Sequence, residues 1–469
     1  MNNKKLSQYI NFFWDEHILP ALTEYIKIPN KSPVFDSDWE SRGHMDRVLD
    51  LAVKWANKHR PRDSELIIKR TPGRTPIILI DIPGGQDGNI LMYGHLDKQP
   101  EMAGWADGLG PWTPVIKDNK LYGRGAADDG YALFASVCAV RALEKQGIVH
   151  PRILILIEFS EESGSPDLPH YMELCSKLIG EPDLVICLDS GAGDYDRFWT
   201  TTSLRGLIGF SLRIDVLNEG VHSGDASGYV PSSFRIARQL LSRLENENTG
   251  EILLEKLKVD IPDYRIQEVK KLVSILGKNI VDDFPWKGTT MPSTDNILEA
   301  VLRRTWRPAL SVVGSDGLPA VENAGNVLRP YTVLKLSMRI PPMVDPLKAR
   351  DTIQKILTKN VPYNARAQVD FDEPAAGWNA PETRPWLVSA MNNASETFFG
   401  QSAGSMGTGG TIPFMAMLGE RFPGAQFVIT GVLGPQSNAH GPNEFLHIPY
   451  AKNLTACVSA VISVFPENR

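Results

Sequence analysis

Apolar residues recur at helical spacing from Leu6 to Ile26 and again from Trp39 to Lys58, and the two stretches predict peripheral amphipathic helices. The period then changes. Leu66 to Asp81 is a β-branched run that Pro72-Gly73 divides into two strands, and Asn89 to Tyr93 predicts the next. Gly130 to Gln146 predicts a helix capped by Asp128 or Asp129 and stopped by Gly147. Arg152 to Phe159 and Asp183 to Leu188 are nearly all apolar, with a helix predicted between them from Leu168 to Ile179. Continuously apolar strands separated by helices predict an α/β sheet covered on both faces.

From Leu204 to Leu217 the pattern alternates instead, as a half-exposed strand does, and a helix follows from Ser232 to Asn246. Strands at Leu310 to Val313, Thr332 to Ile340 and Ala367 to Phe371, with a helix at Pro346 to Lys359, complete the order β, α, β, β, α, β. That order predicts a ferredoxin-like α+β module. A charged, helix-prone stretch, residues 248–305, is inserted within it. Beyond Pro374 the α/β pattern returns with a helix from Trp386 to Phe398, a strand from Gln426 to Val432 and a helix from Tyr450 to Val464. Residues 1–203 and 377–469 are thus expected to form one α/β domain with a mixed sheet, interrupted by an α+β domain of residues 204–376.

Composition narrows the partners. In 469 residues, 42% hydrophobic and 22% charged, 49 basic against 55 acidic side chains give a formal charge of −6. Nucleic-acid binding normally needs a basic excess, so a small polar or charged substrate is expected and no nucleic acid. No run of about 18 apolar residues spans a membrane, and the N-terminal apolar patch lacks a cleavage signal. Cys138, Cys175, Cys187 and Cys457 are widely spaced inside apolar patterns, as buried reduced thiols of a cytoplasmic protein would be.

The chemistry gathers after the strands. Gly94-His95-Leu96-Asp97 ends one, and Gly123-Arg124-Gly125 then leads to Asp128-Asp129. Ser160-Glu161-Glu162 and Asp189-Ser190-Gly191 end two more, and Asn438-Ala439-His440-Gly441-Pro442-Asn443-Glu444 follows the last. Open α/β sheets place their sites at these strand ends. A His and an Asp two apart share one side of the pleat, so His95 can ligate a metal while Asp97 holds its other ring nitrogen. Each group alone is ordinary cap or loop charge. Together His95, Asp128, Glu162, Asp189 and His440 are the two imidazoles and three carboxylates that two divalent ions with a shared carboxylate require. Glu161 is surplus to that count and free to act as general base on a bridging water. No nucleophilic Ser or Cys elbow is present.

GHLDKQP, GRGAADD, FSEESG, CLDSG and AHGPNE resemble the successive motifs of the aminoacylase/carnosinase/carboxypeptidase G family of dinuclear zinc metallopeptidases, which includes acetylornithine and succinyl-diaminopimelate deacylases. The resemblance spans nearly the whole chain. It implies a zinc-exopeptidase-like catalytic domain with a lid or dimerisation domain. It also implies two divalent ions per subunit, zinc with manganese or cobalt as alternatives. His95, Asp128 and Asp189 would hold one, and Asp128, Glu162 and His440 the other. Asp97 would orient His95, Glu161 would be the base, and the Asp128-Asp129 peptide would be cis. In Gly220-Val221-His222-Ser223-Gly224, His222 matches the oxyanion-stabilising His that dimeric members supply from the partner subunit. Arg339 matches a carboxylate-binding Arg, and Asn326, Gly410 and Thr411 fall where the family contacts substrate.

The longer lid is similar to that of carnosinase-like dipeptidases. Those proteins carry an Arg-Glu pair just before the Gly-Gly-Ser-Ile-Pro segment, where this chain has Gly407-Thr408. The expected reaction is hydrolysis of an amide next to a free carboxylate, in a dipeptide or an N-acyl amino acid, by a homodimer. A non-catalytic binding protein is the remaining alternative, and it would have no use for Glu161.

Overall fold

The computed structural model describes residues 1–282 and 284–466. They divide into two compact units: Met1–Thr202 with Ala380–Met406 and Met417–Arg469, and Ser203–Asn379 with Gly407–Ala416. The sequence pattern places 407–416 with the flanking domain. Its contacts assign it to the second unit, where the Thr411 hydroxyl donates to the Arg205 carbonyl at 2.6 Å, a long-range bond with no local signature.

The first unit is built on a six-stranded mixed sheet, ordered Glu65–Lys69, Ile77–Ile82, Pro151–Glu158, Gln86–His95, Leu184–Cys187, Gln426–Ile429. The last four strands are parallel, and the first two run antiparallel at one edge. The apolar run Ile153–Ile157 is buried throughout, as a strand covered on both faces must be. Helices Ala132–Glu144 and Ile448–Ser463 pack together and bury almost every side chain. Leu6–Ile26 is helical as expected, with a π-helical turn at Trp14–Ile18.

Two local expectations change. The helix expected from Gly130 begins at Ala132 with no side-chain cap, because Asp128 and Asp129 face other partners described below. Three short strands, Val115–Lys117, Lys120–Tyr122 and Phe445–His447, form a small sheet that their length hid from pattern reading.

In the second unit, Ala309–Asp316, Tyr331–Ile340, Gly206–Asp215 and Arg366–Phe371 lie side by side in that order, all antiparallel. With helices Ser233–Leu241 and Pro346–Thr358 this is the ferredoxin-like arrangement that the element order implied. Alternation decides the faces. Ile208, Phe210, Leu212 and Ile214 point inward with Leu334, Leu336, Met338 and Ile340, and Ile236, Leu240, Ile353 and Leu357 cover them. The insertion is largely helical, including Asp263–Leu276 and Ile297–Thr305. Among the described residues no helix is long and apolar enough to cross a membrane.

Candidate metal centre

The central strand Gln86–His95 delivers His95 at its last position, completely buried. Gly94 is required beside it: a Cβ there would lie 2.4 Å from Ala132 Cβ and 2.7 Å from Asp129 Oδ2. His95 Nδ1 stands 3.2 Å from the Asp97 carbonyl oxygen and 3.4 Å from its carboxylate. The carboxylate also has a second task. It accepts the backbone N–H groups of Glu161 (3.1 Å) and Glu162 (3.0 Å), so one Asp fixes the turn that presents both glutamates.

His95, Asp128 and Asp189 form one group of donor atoms within 4.8 Å of one another, and Asp128, Glu162 and His440 form a second. Asp128 belongs to both, with Oδ1 3.3 Å from His95 Nε2 and Oδ2 3.0 Å from His440 Nε2. Glu161 Oε2 is 4.0 Å from His95 Nε2, beside the groups and in neither. The Asp128-Asp129 peptide is cis. Asp129 is turned away, its Oδ2 accepting the His95 N–H at 3.2 Å.

The electrostatics follow from crowding charge out of water. Burial raises Glu161 and Glu162 well above the usual carboxylate range, with Asp189 and Asp128 respectively as the next contributors. Asp189 is pushed up to about 6 by burial against the pull of His95. Asp128 is lowered despite its burial, because the imidazoles of His440 and His95 lie against its two carboxylate oxygens. Burial opposes protonation of His95, and the carboxylates of Asp128, Asp97 and Asp189 outweigh it and raise its pKa. The donor set fits divalent cations: two imidazoles and three carboxylates converge around the shared carboxylate of Asp128, and among the described residues buried His95 Nε2 has no hydrogen-bond partner.

The match to the model of peptidase family M20/M25/M40 extends over residues 91–464, from within the His95 strand to the last helix. The chain belongs to that family. As a family member it is a metallopeptidase. It is 24% identical over 453 residues to cysteinylglycine-S-conjugate dipeptidase of Corynebacterium striatum, covering 92% of this chain and 96% of the relative. It is also 24% identical over 443 residues to human Beta-Ala-His dipeptidase, covering 89% and 84%. The fold is similar to that of the di-peptidase Dug1p of Saccharomyces cerevisiae (TM-score 0.75, 21% identity, 99% and 98% covered). Human carnosine dipeptidase 1 is similar to the same degree (TM-score 0.74, 21% identity, 99% of each chain).

The remaining sequence-derived site residues of this M20 chain lie in the second unit. Val221–His222 pairs with Val327–Leu328, and Ser223 N–H donates to the Asn326 carbonyl, so His222 and Asn326 are neighbours on an exposed edge. His222 Nδ1 accepts the Gly224 N–H at 3.1 Å. Arg339 Nη1 donates to the Thr411 hydroxyl at 2.8 Å, and exposed Gly410 precedes Thr411.

Pattern reading missed Gln99, whose Nε2 meets Glu162 Oε2 at 2.5 Å, and Lys98. Lys98 is completely buried, donating to the Tyr25 and Ile28 carbonyls at 2.7 and 2.8 Å around the end of helix Leu19–Ile26. It missed the part played by Arg124 and Glu444 as well, although both letters stood in the motifs.

Proposed function

We propose that the chain is a cytoplasmic, homodimeric dipeptidase that hydrolyses the peptide bond next to a free carboxylate at two divalent cations, zinc in the first instance. The observation that carries the reading is the pair of donor groups sharing Asp128, with Glu161 beside both and part of neither. The curated relatives named above act, by their names, on dipeptides.

In this reading residues 1–202, 380–406 and 417–469 are catalytic, and 203–379 with 407–416 form the lid and dimer contact. His95, Asp128 and Asp189 would hold one ion, and Asp128, Glu162 and His440 the other. Such ions would supply Lewis-acid polarisation of the scissile carbonyl and a more acidic attacking water. Glu161 takes that water's proton and returns it to the leaving amine. Asp97 keeps His95 in register and braces the 161–162 turn. The planar fork of Arg339 receives the substrate carboxylate, a task for which a point charge is a poor substitute. Thr411, Gly410 and Asn326 contact the substrate, and His222, supplied by the partner subunit, stabilises the oxyanion.

The test is hydrolysis of a panel of dipeptides and N-acyl amino acids, before and after chelation. Dipeptide cleavage lost on chelation and restored by zinc is the expected result. Gly407-Thr408 favours the second reading, an N-acyl amino acid deacylase, which cleavage of the acyl substrates alone would establish. A protein that binds metal yet cleaves nothing in either class would sink both.

A further inference from the structure

Asp128 and His440 stand on two loops, residues 123–128 and 438–444, that are remote in sequence and lack regular structure around the donors. Asn438, His440 and Asn443 have φ of +55°, +64° and +61°, the left-handed region that Asn and His enter more readily than other non-glycine residues, so the second loop turns tightly around its donor. A buried ion pair ties the two loops together. Glu444 is 0% and Arg124 1% exposed, with Arg124 Nη1 2.7 Å from Glu444 Oε2. Glu444 Oε1 accepts three N–H groups of the first loop, from Gly125 (3.0 Å), Ala127 (3.1 Å) and Asp128 itself (3.3 Å). Arg124 Nη2 donates to the carbonyls of His440 (3.1 Å) and Gly441 (2.8 Å), and its Nε to that of Pro100 (3.1 Å).

Both carboxylate oxygens of Glu444 are therefore spent on backbone and guanidinium, and Glu444 stands outside both donor groups. Burying a charge pair is costly, and an apolar pair of like volume often serves stability as well. Here the pair satisfies backbone groups on both loops that would otherwise be stranded. His95, by contrast, is the last residue of a central strand and Asp189 lies two residues beyond the end of the neighbouring one, so the sheet holds them without this help.

We propose that Glu444 and Arg124 are positioning residues for the second metal position: they set Asp128 against His440 and so govern the affinity of the ion held by Asp128, Glu162 and His440. The His95–Asp128–Asp189 position is affected much less. The proposal rests on the dinuclear reading above. Glu444→Gln keeps the size but turns an N–H toward a donor, and Arg124→Lys keeps the charge but loses the fork that spans Glu444 and two carbonyls.

Zinc titration of the metal-free protein by calorimetry, with a competing chelator, reads both steps. Wild type is expected to bind two ions. Each variant should bind one ion with near wild-type affinity and the other about 10–100-fold more weakly, and its turnover should climb towards wild type as free zinc is raised. Folded variants that bind both ions as tightly as wild type would overturn the positioning role and leave the dinuclear reading intact. Equal weakening of both steps, with no rescue by zinc, would make the pair a general structural prop and overturn the proposal. A wild type that bound fewer than two ions would remove the dinuclear reading and this inference with it.

Discussion

Glu161 and Glu162 are adjacent letters with different surroundings. Glu162 faces His440 at 3.5 Å and is bonded by Gln99, whereas Glu161 stands 4.0 Å from His95 and outside both donor groups. Glu161→Gln should therefore cut turnover by about 10²–10⁴-fold, the usual cost of losing a general base. Metal analysis of the same variant should still find two ions; the loss of one full equivalent would make Glu161 a ligand and reverse the two roles. For Arg339, replacement by Lys keeps the charge and removes the bidentate face. Cleavage of carboxylate-bearing substrates should fall far more than cleavage of the corresponding amides, and equal losses would refute the assignment. The Thr411 hydroxyl donates to the Arg205 carbonyl and accepts from Arg339 Nη1, so the two residues expected at the substrate are joined to each other.

The N-terminal helices brace the first unit. Asn30 and Tyr25 bond the Leu96 carbonyl, Ser32 meets Ser163 at 2.5 Å, and Lys98 closes the carbonyl end of Leu19–Ile26, a favourable place for a cation. These contacts join a peripheral segment to both the His95 strand and the Glu161–Glu162 turn. On the neighbouring face, His17 of the π-helical turn and His59 at the end of helix His44–His59 lie 4.6 Å apart between ring centroids, flanked by Phe13 and Trp55. Burial, reinforced by the positive charges of His17, Lys58 and Arg141, pushes His59 down to about 4 from its ordinary 6.5. The folded protein thus keeps this imidazole neutral while the unfolded chain begins to protonate it below 6.5. Its contribution to stability is full above pH 6.5, shrinks as the pH falls towards 4, and changes no further below that. Denaturant midpoints across that window should slope less steeply in His59→Phe than in wild type. Parallel slopes would show that His59 does not titrate differently in the fold.

For the whole molecule the prediction concerns assembly. If His222 of one subunit completes the site of the other, His222→Ala should lower turnover by about 10²–10³-fold with both metals retained, as expected for a lost oxyanion donor. Complementation sharpens the test. Inactive His222→Ala and Glu161→Ala chains, dissociated and reassociated together, should give heterodimers with one intact site of two, so activity should recover towards half of wild type per heterodimer. Verified heterodimers without activity, or a monomer turning over at the full rate, would return His222 to its own chain or to no role.

The local content of this protein was legible in its letters. Continuous apolar runs such as Ile153–Ile157, short and rich in β-branched residues, suit strands covered on both faces, and the alternation of Ile208–Ile214 suits a sheet with one face buried. Even the element order of the second unit sufficed for its strand arrangement, because its connections leave few alternatives. The candidate donors were also visible as letters, since the motifs carry His and acidic side chains after the strands, and the fold gathers them into two groups that could hold metal ions. Distances were another matter. Nothing local in GRGAADD or AHGPNE says that Glu444 would accept the Asp128 N–H across 316 positions, or that Asp97 would divide its carboxylate between His95 and the 161–162 turn. Such bonds are made by buried polar groups that must find partners wherever the fold brings them, and only the tertiary structure decides which partner is within reach.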